Sequence, residues 1–204
     1  MKGVILAGGS GTRLHPLTRI TNKHLLPIFD RPMVNWSIDA LVGAGITELM
    51  LVTGGTHAGE FFRLLGNGHE HGIERLFYAY QDQAGGIAEA LALAERFVER
   101  DKVCVMLADN VFARSLKPVV ENFGGQERGA RIVLSRVEED EHLRHLGVAV
   151  RDGERVTKIV EKPAAPPSKY AVTGVYFYDE QVWDVLPMIL PTTIEPSTPE
   201  LCAI

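Results

Sequence analysis

Gly3-Val4-Ile5-Leu6-Ala7-Gly8-Gly9-Ser10-Gly11-Thr12-Arg13 is an apolar run that ends abruptly in a glycine-rich turn. The run is too short for a helix and suits a buried strand. The glycines after it free the backbone to take left-handed angles. Backbone N–H groups in such a turn can converge on one point without side-chain obstruction, which makes the turn a cradle for a phosphate. A tight strand-to-helix turn without a ligand has the same composition, so the loop alone does not decide between the two. Two familiar phosphate loops are excluded. A Walker A loop ends in Gly-Lys-Ser/Thr, whereas Gly11 is followed by Thr12-Arg13, and a dinucleotide fingerprint needs glycine where Leu14 stands.

Outward from this stretch, short apolar runs alternate with longer segments of helical period. Strands are expected at residues 3–7, 49–53, 77–81, 103–107, 131–137 and 172–178. Helices are expected at 33–42, 57–65, 87–98, 116–123 and 180–190. The alternation predicts a Rossmann-like, three-layer α/β/α fold around a mostly parallel sheet. One element breaks it: residues 146–151 and 155–160 flank Asp152-Gly153, a turn dipeptide, and predict an inserted β-hairpin. Lys162-Pro163-Ala164-Ala165-Pro166-Pro167 is too short to separate domains, so residues 1–204 are read as one domain.

Composition narrows the function classes. The 204 residues are 46% hydrophobic and 23% charged, values of an ordinary globular chain. A net charge of −5 without a Lys/Arg-dense run excludes a nucleic-acid partner, and no run approaches a membrane span. Cys104 and Cys202 lie too far apart for a Cys-x-x-Cys pair and make no disulfide framework. Cys104 is expected in the core and the protein in the cytoplasm.

Behind the glycine loop come Arg13 and Lys23, in a segment expected to be extended because proline stands at both its ends. The Arg13 guanidinium offers a planar fork for a triphosphate and Lys23 a mobile point charge. Taken singly, each is more often a solvated surface cation. Asp109, in Leu107-Ala108-Asp109-Asn110, ends an apolar strand, where ligands of open α/β sheets bind. A carboxylate there can hold Mg²⁺ or cap the following turn.

Taken together, Leu6-Ala7-Gly8-Gly9-Ser10-Gly11-Thr12-Arg13-Leu14-His15-Pro16-Leu17-Thr18, Asn22-Lys23-His24-Leu25-Leu26-Pro27 and Asp30-Arg31-Pro32-Met33 resemble the signature of the glucose-1-phosphate thymidylyltransferases. These belong to the sugar-1-phosphate nucleotidyltransferases. The resemblance implies that Leu6, Gly8, Gly9, Gly11 and Thr12 bind the nucleotide, and that Arg13 and Lys23 offset charge on a departing pyrophosphate. Tyr80 to Ala90 looks like the segment that reads the pyrimidine base, with Gln81 and Gly86 in it. A glutamine amide can donate and accept against the O4/N3 edge of thymine or uracil, whereas cytosine presents the reverse pattern. The resemblance makes Asp109 a metal ligand, although the family has Leu-Gly where this chain has Leu107-Ala108. On the sugar side it implies Lys162 for the phosphate, Glu161 for hydroxyls, and Gly147, Thr173 and Gly174 around the ring.

The implied reaction joins dTTP and glucose 1-phosphate to give dTDP-glucose and pyrophosphate, with Mg²⁺, Arg13, Lys23, Asp109 and Lys162 as the catalytic groups. The family continues through an Arg-Gly-Glu-Leu-Glu-Ile-Thr-Asp stretch and a Trp-x-Asp-x-Gly segment carrying a second metal aspartate. Around Pro196-Ser197-Thr198-Pro199-Glu200-Leu201 only an echo of the first is present, so a C-terminally truncated domain is expected. A nucleotide-binding remnant and a UTP-using enzyme stand as alternatives, while Leu14 counts against an NAD(P) oxidoreductase. A homo-oligomer is left open.

Overall fold

The computed structural model describes residues 1–9, 11–82 and 85–189. Ser10, Gln83, Ala84, Leu190, Cys202 and the Pro-Ser and Glu-Leu echoes lie outside the described residues. Among the described residues, ten strands and seven α-helices follow the chain as β1 (Lys2–Leu6), β2 (Pro27–Ile28), β3 (Arg31–Pro32), α1 (Met33–Val42), β4 (Glu48–Gly54), α2 (Ala58–Leu65), β5 (Arg75–Gln81), α3 (Gly86–Ala92), α4 (Glu95–Val98), β6 (Val103–Leu107), α5 (Lys117–Gly124), β7 (Ala130–Arg136), α6 (Asp140–Leu143), β8 (Gly147–Asp152), β9 (Arg155–Glu161), β10 (Tyr170–Tyr178) and α7 (Val182–Ile189).

The apolar run of β1 is continuous because both of its faces are covered. Ile5 and Ala7 join a core that includes Val34, Ile38 and Leu41 of α1, Phe61 and Leu65 of α2, and Phe123 of α5. Val4 and Leu6 point the other way, into a core with Ala90 and Leu91 of α3, Phe97 and Val98 of α4, and Trp183 and Leu186 of α7. Helices therefore cover both faces of one sheet, giving the expected three layers. Cys104 lies in the first of these cores, and burial pushes its thiol well above its ordinary value.

The sheet runs β5-β4-β1-β6-β10-β8-β9, with β7 paired to β10. The first four are parallel; Ile5 stands opposite Leu51 on one side and Met106 on the other. At β10 the direction reverses, and β10 pairs antiparallel with β6, β7 and β8. The expected hairpin forms as β8 and β9, and joins the sheet through the pairing of Val148 with Ala171. The register along β7 shifts between Val172 and Tyr176, where Gly174 takes a φ of 78°.

Two expectations give way. The segment behind the glycine loop is not extended but winds through three 3₁₀ turns, Thr12–Leu14, Leu17–Arg19 and Lys23–Leu25. Proline at either end forbids a long helix but not single turns, which need no run of backbone donors. The helix expected over 87–98 divides into α3 and α4, the backbone tightening where the Ala94 N–H bonds Leu91 O at 2.9 Å. The short pair β2–β3 and the single-turn α6 had no counterpart in the reading of the sequence. Among the described residues no helix is long and apolar enough to cross a membrane.

At the end of β10, Asp179 is 4% exposed and ties two elements together. Its carboxylate accepts the Gly129 N–H, just before β7, at 2.5 Å, and the Gln181 N–H, at the start of α7, at 3.0 Å. Asp179→Ala should strand two backbone donors and lower unfolding stability by ~1–3 kcal/mol, read as a shifted urea midpoint at constant slope. An unchanged midpoint would show that water replaces the carboxylate without cost.

Candidate active site

β1 delivers the glycine loop to the carboxyl edge of the sheet between its two neighbours. Leu6, buried at the end of β1, accepts the Ala108 N–H at 3.0 Å, and the Ala7 N–H reaches Val52 O at 2.8 Å. Gly9 and Gly11 take φ of 100° and 59°, the left-handed values that a side chain would resist. Gly11 is also crowded: a Cβ there would lie 2.9 Å from Thr18 Cγ2 and 3.1 Å from Lys23 Cβ. The Thr18 hydroxyl donates to Gly11 O at 2.7 Å and holds the loop against the 3₁₀ segment. Thr12 and Arg13 are exposed on the first turn of that segment, and Arg13 forms no ion pair among the described residues.

The same packing brings Lys23 to Asp109. Its ammonium lies 2.6 Å from Asp109 Oδ2, with the lysine side chain 25% and the aspartate 38% exposed. Partial burial alone would raise the Asp109 carboxyl, but the Lys23 hydrogen bond and charge, with a contribution from His24, outweigh it and hold it below the usual carboxylate range. The support of Lys23 is a buried amide-imidazole pair that the sequence reading did not single out. Asn22 donates to Ala7 O at 3.3 Å, and its Oδ1 accepts the His24 N–H at 2.9 Å. The Asn22 amide is thereby oriented with its oxygen 2.8 Å from His24 Nδ1, so Nδ1 carries the ring proton. Burial, reinforced by the Lys23 charge, pushes His24 down to about 4.

Gln81 ends β5 beside the loop. A Cβ on Gly8 would stand 3.5 Å from Gln81 Oε1, and one on Gly54 would stand 2.4 Å from Gln81 O. The Gln81 Nε2 faces Gly86 O at 3.4 Å and Glu89 Oε2 at 3.2 Å. Gly86, with φ 88°, opens α3. Glu89 was not singled out by sequence; an acidic residue on a helix reads as a solvated one.

On the far side of β6, Gly147 stands opposite Glu161 in the hairpin, and a Cβ on it would lie 3.2 Å from Glu161 Oε2. Lys162 follows with a φ of 44°, rare for a residue with a side chain, its N–H bonded to Leu146 O at 3.0 Å and its ammonium 3.3 Å from Glu161 Oε1. The Thr173 hydroxyl donates to Val133 O at 2.8 Å, turned toward β7. Gly174 abuts the Asp109 loop: a Cβ there would lie 2.7 Å from Leu107 Cδ1 and 3.1 Å from Asn110 Nδ2. The chain thus joins Gly11, Lys23 and Asp109 in one group, Gly8, Gln81 and Gly86 in a second, and Gly147, Glu161 and Lys162 in a third. No hydrogen bond or ion pair among the described residues links Arg13 or Lys162 to the Lys23–Asp109 pair.

Among the described residues no cluster of three or more potential metal-ligating side chains occurs. The single carboxylate of Asp109 is nevertheless a donor of the right chemistry for Mg²⁺, which takes one or two carboxylates and completes its shell with water and substrate phosphates. A cleft of about 1050 Å³ between β7 and the β8–β9 hairpin contains none of these residues.

His24 makes stability depend on pH. An ordinary imidazole takes up its proton near pH 6.5, whereas the folded ring resists until about pH 4. Between these values the unfolded chain binds more protons, so the contribution is whole above 6.5 and is lost as pH falls toward 4. Asp109, held below its ordinary value of 3.8, titrates under this window. From pH 7 to pH 5 the unfolding free energy should fall by about 2 kcal/mol more in the native chain than in His24→Gln. Parallel pH profiles for the two would contradict the buried neutral ring.

The sequence matches the family described as nucleotidyl transferase over residues 2–197. Glucose-1-phosphate thymidylyltransferase of Neisseria meningitidis serogroup A is 39% identical over 94% of this chain and 66% of its own length. The Xanthomonas campestris pv. campestris protein of the same name is 37% identical over 94% of this chain and 64% of its own. The chain thus spans just under two thirds of these curated relatives. A proposed glucose-1-phosphate thymidylyltransferase from Bacillus anthracis, crystallised in complex with a sucrose, superposes with a TM-score of 0.87 at 43% identity, over 94% of this chain and 76% of that one. A UDP-glucose pyrophosphorylase bound to UDP-glucose shares the fold, with a TM-score of 0.77 at 24% identity, over 92% of this chain and 79% of that one. Likeness through nearly the whole described sheet goes well beyond a shared phosphate loop: this chain belongs to the nucleotidyl transferase family.

Proposed function

We propose that the protein transfers a thymidylyl group from dTTP to α-D-glucose 1-phosphate, giving dTDP-glucose and pyrophosphate. What supports this most is the meeting, at one sheet edge, of a left-handed glycine loop, the Lys23–Asp109 pair and Gln81. Relatives 37–39% identical that carry the thymidylyltransferase name support the substrate pair.

In this reading a phosphate oxygen of the sugar attacks the α-phosphorus of the nucleotide in line. The new P–O bond forms as the bond from that phosphorus to the bridging oxygen breaks, and pyrophosphate leaves with the electron pair. The attacking oxygen is already anionic, so no protein base or nucleophile is needed; the task is to hold two anions together and stabilise the leaving group. Backbone N–H groups of the loop around Gly8, Gly9 and Gly11 receive the triphosphate, with Leu6 and Thr12 flanking them. Arg13 and Lys23 neutralise the pyrophosphate, and the guanidinium of Arg13 is exposed and has no ion pair among the described residues. Asp109 would hold Mg²⁺, which would supply charge neutralisation at the phosphates. Lys23 already bridges to Asp109, so its ammonium has only to swing from carboxylate to phosphate. Gln81 and Gly86 flank the base. Lys162 takes the sugar phosphate, Glu161 the hydroxyls, and Gly147, Thr173 and Gly174 the ring.

The protein works in the cytoplasm, with small-molecule substrates and neither membrane nor nucleic acid as partner. The free, buried thiol of Cys104 suits a reducing compartment.

Purified protein with Mg²⁺, glucose 1-phosphate and equal dTTP and UTP should form dTDP-glucose in excess over UDP-glucose. In the same assay Lys162→Ala should raise the requirement for glucose 1-phosphate by ~1.5–3 kcal/mol, roughly ten- to a hundredfold, while leaving that for dTTP nearly unchanged. UDP-glucose as the main product would move the protein to UTP, and equal losses for both substrates would remove Lys162 from the sugar side.

A further inference from the structure

Gln81 is 9% exposed, and its amide is held from one side. Its Nε2 faces Glu89 Oε2 at 3.2 Å and Gly86 O at 3.4 Å. A carboxylate and a carbonyl accept hydrogen bonds but cannot donate them, so the end of the amide that faces them must be the nitrogen, with both N–H groups engaged. Oε1 then points the opposite way, to Gly8, where a Cβ would stand 3.5 Å from it. The backbone leaves a place for the carboxylate that does this. A Cβ on Gly85 would fall 1.3 Å from Glu89 Oε2, so the Glu89 head group lies directly against the bare Cα of residue 85.

We propose that Glu89 is a positioning residue that sets base specificity. By engaging the donors of Gln81 it leaves only the Oε1 acceptor to face the nucleobase. Thymine and uracil carry a ring N3–H that this oxygen accepts, whereas the N3 of cytosine is itself an acceptor and meets it lone pair to lone pair. A neutral amide at position 89 would offer N–H and O alike and let the Gln81 amide turn over. The inference rests on the proposal that Gln81 faces the base. It also alters the expectation from sequence: Gln81 accepts from N3 and does not donate to O4.

The test is equilibrium binding of Mg²⁺ complexes of dTTP, UTP and dCTP to the native chain, Glu89→Gln and Gly85→Ala. Glu89→Gln keeps the shape and removes the acceptor-only chemistry. Gly85→Ala keeps the carboxylate and displaces it, at a backbone of φ −81° and ψ 14° that lies outside the left-handed region where a side chain is strained. The native chain should prefer dTTP and UTP to dCTP. Both variants should narrow the dCTP-to-dTTP ratio of dissociation constants about tenfold, the scale of one hydrogen bond, and leave the UTP-to-dTTP ratio unchanged. Folded variants that keep the native dCTP-to-dTTP ratio, or that weaken all three nucleotides alike, would overturn the role of Glu89 while leaving the nucleotide site intact. A native chain that binds none of the three would instead overturn the site itself.

Discussion

Parallel pairing of β1 with β4 and β6 is the constraint on which the rest of the site depends. Because Leu6 is level with Val52 and Leu107, the chain leaves all three strands at the same edge and on the same side. The glycine loop and Asp109 follow β1 and β6 directly, so their neighbourhood is a consequence of register and needs no attraction between them. Gln81 reaches the same edge because β5 pairs with β4 through to Gly54. This is the arrangement in which open α/β sheets present ligands outside the carboxyl ends of their strands.

Electrostatics then acts on what register has assembled. Lys23 and Asp109 are 86 residues apart in sequence yet 2.6 Å apart in space. Each charge is only partly in water, and the pair keeps the aspartate ionised and the lysine ammonium on its carboxylate. Beneath them His24 stays neutral, because burial and the Lys23 charge both oppose a second cation. A neutral ring that donates to Asn22 is a rigid strut, and Asn22 in turn grips Ala7 at the root of the loop. One polar chain thus runs from Ala7, at the end of β1, through Asn22 to His24, the chain neighbour of Lys23, which limits the reorganisation left for the moment of reaction.

The fold was legible wherever burial imposed a period. Val103–Leu107 is apolar throughout because both faces of β6 are covered, and α1 was read to its observed ends because its apolar positions recur at helical spacing. Legibility failed where local chemistry has no period. The turns around Arg13, Leu17 and Lys23 are single windings set by tertiary contacts such as Thr18 with Gly11, and β2–β3 pairs only two residues on each side. In the site, the residue types were readable but their partners were not. Gln81, Lys23 and Asp109 stood out by position in recognisable motifs; the carboxylate that orients Gln81 comes from one turn into α3 and is visible only once that helix folds back across the strand end. The turn of the Thr173 hydroxyl toward Val133 likewise falls within the irregularity in β10, which no composition signals.

The central claim is that nucleotide and metal meet between the glycine loop, Lys23 and Asp109. A crystal of the protein grown with Mn²⁺ and dTTP tests it directly, because the metal gives an anomalous signal that fixes its own position. The account predicts one Mn²⁺ on the Asp109 carboxylate, the triphosphate along the Gly8–Gly11 backbone, and the thymine N3 within hydrogen-bond distance of Gln81 Oε1. Nucleotide and metal lodged instead in the cleft between β7 and the β8–β9 hairpin, with Asp109 still paired to Lys23, would contradict it.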